Sequence, residues 1–242
     1  MTTLRTGLSS TKSALVIFAR HPSGRVKTRL IPHLGVRGAQ GFHRACLVAT
    51  VRLAASLPRR VHRFLCLASA TPSDARRTAR SMGLASRLHV RVQGGSDLGA
   101  RLARMFAALW NEGYERVVVI GSDSPTLTRR RVLDALAALR WADAVLGPAR
   151  DGGYYLIGLR RTAKKRLFDG VAWGTRRAFA QTRRNLQAAG LRVRRLPLGY
   201  DVDTPADLRR LEREVKRSRQ RHLEPLRRWL RATRRGSGVN AC

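Results

Sequence analysis

The chain has 242 residues, 43% of them apolar, and carries 49 Lys and Arg against 15 Asp and Glu, a net charge of +34. That length and apolar share suffice for one large α/β domain or two small ones, and no repeat or long linker divides the chain, which favours one. No apolar run approaches the roughly 18 residues of a membrane-spanning helix. The three cysteines, Cys46, Cys66 and Cys242, are odd in number and widely spaced. This argues for free thiols in a reducing cytoplasm and gives no zinc pattern.

Residues 1–13 are polar and lack the apolar stretch of a secretory signal, so they read as a disordered lead-in. Ala14–Ala19 is an apolar run of strand length that stops at the turn formers His21-Pro22-Ser23-Gly24. Helical spacing from Ala39 to Leu57 ends at Pro58. A strand over Val61–Ala68, a short helix over Asp74–Met82 and a strand over Leu88–Gln93 follow. A helix over Leu98–Trp110 leads to Arg116–Gly121, whose valine run suits a strand covered on both faces. Then come a helix over Arg129–Leu139, strands over Ala142–Gly147 and Tyr154–Leu159, a helix over Arg176–Ala189 and a strand over Leu191–Leu198. Thr204 caps a helix that Pro205 starts. Strands alternating with helices predict a mostly parallel sheet covered on both faces, with ligands at the carboxyl ends of its strands.

Several motifs follow predicted strands and should share that edge. Arg20-His-Pro-Ser-Gly-Arg-Val-Lys-Thr-Arg29 opens a helix, a place that attracts phosphate, and Arg25, Lys27 and Arg29 add charge. It has neither Walker nor dinucleotide-fingerprint spacing. Asp123, in Gly-Ser-Asp-Ser-Pro, is suited to binding Mg2+ through one oxygen; the competing reading is a helix cap. Asp151-Gly-Gly153 fits a hairpin turn and a cleft rim equally well. Asp97 and Asp201 are read as shaping their turns, Asp97 as a helix cap. Trp173 reads as core or lid packing, and a nucleophile elbow is missing. Most of the positive charge is arginine, 44 residues against 5 lysines, spread over nearly every helix. Only from Arg209 to Arg235 does it concentrate, in what reads as a solvated helix and ragged tail or as a polyanion contact.

Together, Gly24-Arg-Val-Lys-Thr-Arg-Leu30, Gln93, Asp97-Leu-Gly, Gly121-Ser-Asp-Ser-Pro-Thr-Leu127, Leu146-Gly-Pro-Ala-Arg-Asp-Gly-Gly-Tyr-Tyr155, Trp173-Gly-Thr175 and Asp201-Val-Asp-Thr-Pro205 resemble the bacterial radical-SAM/selenodomain-associated transferases. That family is similar to the nucleotide-diphospho-sugar transferase superfamily, with its GT-A glycosyltransferases and guanylyltransferases. The resemblance spans about residues 14–215, leaving 216–242 as a basic tail. It implies a three-layer α/β/α sandwich around a mixed sheet. It also implies Asp123 and Asp203 as ligands of Mg2+ or Mn2+, and Lys27 and Arg29 as phosphate contacts. With these go Arg20, Gly24, Arg25, Asp97 and Ser122 on the nucleotide, and Gly152, Gly153, Tyr154, Trp173 and Thr175 on the substrate. Two positions depart from the family: Arg20 stands where Lys is common and Gly174 where Ser is common.

The expected activity is transfer from a nucleotide-activated donor to a small-molecule acceptor. In glycosyl transfer from a nucleotide sugar, a hydroxyl attacks the sugar carbon and Asp151 serves as base. In nucleotidyl transfer, a phosphorylated acceptor attacks the α-phosphorus of a nucleoside triphosphate, helped by Lys27. A domain that binds RNA or another polyanion without catalysis is the alternative of another class.

Overall fold

A computed structural model describes residues 12–68, 70–83, 88–162, 164 and 166–237. Most of the predicted lead-in and Cys242 lie outside them. The elements, in chain order, are β1 (Ser13–Arg20), α1 (Ile31–Ala55), β2 (Val61–Ala68), α2 (Pro72–Ser81), β3 (His89–Val92), α3 (Leu98–Asn111), β4 (Arg116–Gly121), α4 (Arg129–Ala138), β5 (Ala144–Pro148), β6 (Tyr154–Arg160), α5 (Ala178–Ala188), β7 (Val193–Arg195), α6 (Pro205–Arg217) and α7 (Glu224–Ser237).

The seven strands form one sheet in the order β3-β2-β1-β4-β6-β5-β7. β1 pairs in parallel with β2 and β4, and β5 with β7, whereas β6 runs against both β4 and β5. The carboxyl ends of β1, β4, β5 and β7 therefore share an edge with the start of β6. Arg20, Gly121, Pro148 and Tyr154 all lie there.

β1 shows why the sheet is a middle layer. Leu15, Ile17 and Ala19 join a core with Leu47, Leu65, Val118 and Leu136, while Ala14, Val16 and Phe18 join one with Leu102, Phe106, Val117 and Leu186. Successive side chains of a strand point to opposite faces, so a continuous apolar run is what two covered faces require. The expected α/β sandwich with a mixed sheet is the observed one.

Some boundaries differ from expectation. α1 begins eight residues earlier, at Ile31, with Pro32 in its first turn and a break at Gly35 (φ 68°, ψ 170°). β7 is three residues long, because it is an edge strand that meets only β5 and soon reaches Pro197. The segment from residue 216 is more than a tail. α6 continues to Arg217, and α7 folds back on α1, burying Leu223, Leu226 and Leu230 with Phe42 and Leu211 in a third core.

Candidate active site

The loop from His21 to Lys27 leaves β1 and is fastened to α2, where His21 Nε2 and Thr78 Oγ1 are 2.7 Å apart. The loop ends in a left-handed residue that is not glycine, Lys27 (φ 49°, ψ 42°). A 3-10 turn over Thr28–Leu30 follows, and the Leu30 amide donates to the Lys27 carbonyl at 2.8 Å. The turn directs the Lys27 side chain inward. Its Nζ lies 2.7 Å from Asp123 Oδ1, 2.9 Å from Asp203 Oδ1 and 2.8 Å from the Val202 carbonyl.

The two aspartates come from separate elements. Asp123 follows β4 and does not cap α4, since Thr128 does that by accepting from the Arg131 amide. Asp203 precedes α6, whose capping box joins Thr204 and Asp207, and its own amide donates to Asp207 Oδ2. The Val202 amide donates to the Asp123 carbonyl at 2.9 Å, tying the segments together.

Charge balance follows from this geometry. Burial disfavours the Lys27 ammonium, but Asp123 and Asp203 hold it above its ordinary value. Burial likewise pushes the Asp123 carboxyl up, and Lys27, with smaller help from His43 and Arg20, brings it below the usual range. His43, buried on α1, contacts the Arg20 carbonyl through Nε2 at 3.1 Å. Burial lowers its basicity, and its ring lines the hollow beside Asp123.

Two adjoining hollows open at this edge. The first, about 340 Å3, is lined by Arg20, Val26, Lys27, Thr28, Arg29, His43, Asp123, Asp151, Gly174 and Asp203. The second, about 720 Å3, has Tyr154, Trp173 and Leu98 as apolar walls, with Asp201, Thr175 and Arg176 as polar ones. Arg29, Asp151 and Gly174 belong to both. Tyr154 and Trp173 meet edge to face, their ring centres 6.2 Å apart.

Asp151 occupies the β5–β6 turn and the cleft rim at once. Its Oδ1 accepts from the Gly153 amide at 2.9 Å. Gly152 has φ 88°, and a Cβ there would lie 2.3 Å from the Arg176 carbonyl oxygen, so only glycine lets the turn pack against this segment. Asp201, expected as a turn former, lines the aromatic hollow and accepts a hydrogen bond from Ser124. Burial, then the charge of Asp123, pushes its carboxyl up to about 7.

The remaining candidates lie further out or further in. Asp97 caps α3, accepting from Ala100 N at 2.8 Å, and lines a neighbouring hollow beside Trp173. Ser122 is buried and lines neither main hollow, and Gly24 and Arg25 are exposed on the loop. Thr175 Oγ1 donates to the Ala172 carbonyl. His43, Asp201 and Arg176 were missed by sequence reasoning. An apolar hollow of about 600 Å3 between α3 and Leu159–Phe168 contains no carboxylate.

Divalent metal is the cofactor that this carboxylate pair implies, since Mg2+ commonly takes one or two carboxylates along with waters and phosphates. The pair is brought together as expected, yet it does not fit an ion as arranged. One oxygen of each carboxylate lies against Lys27 Nζ, and among the described residues no group of three or more His, Cys, Asp or Glu is placed to hold a metal.

A model of the family described as "Uncharacterized protein conserved in bacteria", DUF2064, matches residues 50–175. The chain belongs to this family. Among solved structures, this DUF2064 protein is similar to one from Desulfovibrio desulfuricans described as a putative nucleotide-diphospho-sugar transferase. The two are 32% identical, with a TM-score of 0.81 over 93% of this chain and 98% of that one. Two further structures are alike in fold alone. A cytidylyltransferase from Leptospira borgpetersenii is 11% identical (TM-score 0.55, covering 95% and 96%). A 4-diphosphocytidyl-2C-methyl-D-erythritol synthase from Anaerococcus prevotii is 12% identical (TM-score 0.52, covering 85% and 97%). No curated protein matches the sequence. The likeness supports a transferase with the nucleotide-diphospho-sugar transferase fold. Among the described residues no helix is long and apolar enough to cross a membrane.

Proposed function

We propose that this DUF2064 protein transfers a glycosyl group from a nucleotide sugar to a small hydroxyl-bearing acceptor. The observation that carries the reading is the pair of hollows joined at Arg29 and Asp151. One is walled by cations and carboxylates, the other by aromatic rings, so a charged donor and a less polar acceptor have separate places that meet at a carboxylate.

The donor's phosphates lie against Arg20 and Arg29, whose guanidinium groups receive the charge that grows on the departing nucleoside diphosphate. Lys27 holds Asp123 and Asp203 in place and offsets one of their two charges, and His43 holds the carbonyl at the end of β1. In the second hollow, the Tyr154 and Trp173 rings offer a face to the acceptor. The acceptor hydroxyl attacks the anomeric carbon as the bond from that carbon to the diphosphate oxygen breaks. The hydroxyl proton passes to Asp151, which lines both hollows.

A thermal-shift screen of nucleotide sugars against the matching nucleoside triphosphates, each with Mg2+ and with EDTA, tests this. A ligand at about 100 times its Kd adds roughly 2.7 kcal/mol, and a chain of this size gains about 2–4 °C per kcal/mol. A nucleotide sugar should shift the melting point by that much, and Arg29→Ala should weaken the shift. Preference for a triphosphate would replace glycosyl with nucleotidyl transfer. Stabilisation by a polyanion alone, with no response to either nucleotide class, would exclude both.

A further inference from the structure

We propose that Lys27 is a resident cation: its ammonium occupies the Asp123–Asp203 pair in place of a divalent ion, and such an ion reaches these carboxylates only when the ammonium leaves. The inference rests on the assignment of this pair to the donor side of the proposed transferase.

A lysine ammonium has three N–H donors and no acceptor capacity. Here it meets three acceptors, Asp123 Oδ1, Asp203 Oδ1 and the Val202 carbonyl, all within 2.7–2.9 Å. Nζ donates to the Val202 carbonyl and to Asp203 Oδ1, and forms an ion pair with Asp123 Oδ1. The Lys27 side chain is 3% exposed, whereas those of Asp123 and Asp203 are 45% and 38% exposed. The cation is thus the inner member of the cluster, and solvent reaches the carboxylates from outside. A charge that deep persists only when paired, and both carboxylates pair it.

A left-handed conformation costs a residue with a Cβ roughly 1–2 kcal/mol. Lys27 adopts it at the point where its side chain must turn from the loop into the cluster. The neighbouring 3-10 turn fixes this conformation from the other side. Such strain persists where surrounding contacts over-determine it, and here those contacts are the ion pair with Asp123 and the bonds to Asp203 and Val202.

Mg2+ binds oxygen at about 2.0–2.1 Å, so an ion shared by the same two Oδ1 atoms would crowd Nζ and repel its charge. The ammonium and the metal are therefore alternatives.

Mn2+ alone, added to the full-length protein freed of metal, tests the proposal without any nucleotide. Loss of the free-ion EPR signal reports binding, so a failed nucleotide assay would leave this result intact. Lys27→Met should bind Mn2+ at least about tenfold more tightly than the wild type, equivalent to roughly 1.4 kcal/mol. Adding Asp123→Asn to that variant should abolish the gain, and Lys27→Arg, which keeps the charge, should not show it. Lys27→Gln serves as a second variant read by melting temperature: Mn2+ should raise its melting point and leave that of the wild type unchanged. Wild-type binding as tight as that of Lys27→Met would overturn the proposal. So would the absence of any Mn2+ response in both neutral variants, folded or not.

Discussion

Asp201 shows how far a single residue's role depends on depth. Its carboxyl accepts from Ser124 and is pushed up to about 7, first by burial and then by Asp123, with Asp151 acting in the same sense. In the unfolded chain it titrates near 3.8. Between those values the folded protein holds a proton that the unfolded chain has released, so stability falls as pH rises through this window. The slope from one such group is at most about 1.4 kcal/mol per pH unit. Asn cannot ionise and keeps an acceptor for Ser124. Asp201→Asn should therefore gain on the wild type in melting temperature from pH 5 to pH 8, and parallel curves would refute the shift. The sequence displays Asp201 as one more acid in a turn. Its burial arises from β4 and the segment before α6 lying together, which neighbouring residues do not reveal. His43 was hidden for a related reason: within a 25-residue helix it looks like any polar side chain, and only the fold sets it against the Arg20 carbonyl.

At the scale of elements, the α6 cap shows how a local signal positions a site. Thr204-Pro-Ala-Asp207 is legible as a helix start because the Ncap hydroxyl and the N3 carboxylate serve each other's backbone amides. The structure has both bonds, Asp207 N to Thr204 Oγ1 at 3.2 Å and Thr204 N to Asp207 Oδ2 at 2.9 Å. The same Asp207 oxygen accepts from the Asp203 amide at 3.3 Å, so the cap also orients the backbone that carries a Lys27 partner. Thr204→Ala should cost about 1 kcal/mol, a fall of roughly 2–4 °C in melting temperature. If capping alone is at stake, an Asn at this position should restore most of it. Strands with continuous apolar runs, β1 and β4, were legible to within a residue because burial on two faces leaves one reading. β7 was overextended, because an edge strand loses its partner before it loses its β-prone residues. The start of α1 was missed because Gly35 interrupts the periodicity near its N-terminus.

The molecule's positive charge is mostly arginine, 44 residues against 5 lysines. Away from the site, several acids pair with it: Asp143 meets Arg160 and Arg192, Glu112 pairs with Arg91, and Glu224 lies beside Arg227 and Arg228. The basic stretch after residue 209 looked like a tail because arginine dominates its composition. Its apolar residues are few, but Leu223, Leu226 and Leu230 recur at helical spacing, and that stripe decides the structure. All three are buried, and Trp229 tilts against Phe42 of α1 with ring centres 5.0 Å apart. Full burial of a leucine is worth about 1.5–3 kcal/mol. Three of them approach the 5–15 kcal/mol that typically holds a domain together. Deleting residues 219–242 removes this stripe from the core that holds Phe42, Leu211 and Val215. The truncated chain should lose its cooperative melting transition or melt far below the full chain, and chymotrypsin should cleave it under conditions that leave the full chain intact. A ragged solvated tail would come away with no change in melting. Leu226→Ala separates packing from charge, because it keeps every arginine. It should cost about 2–5 kcal/mol, whereas Arg231→Gln, on the exposed face of α7, should leave the melting point nearly unchanged.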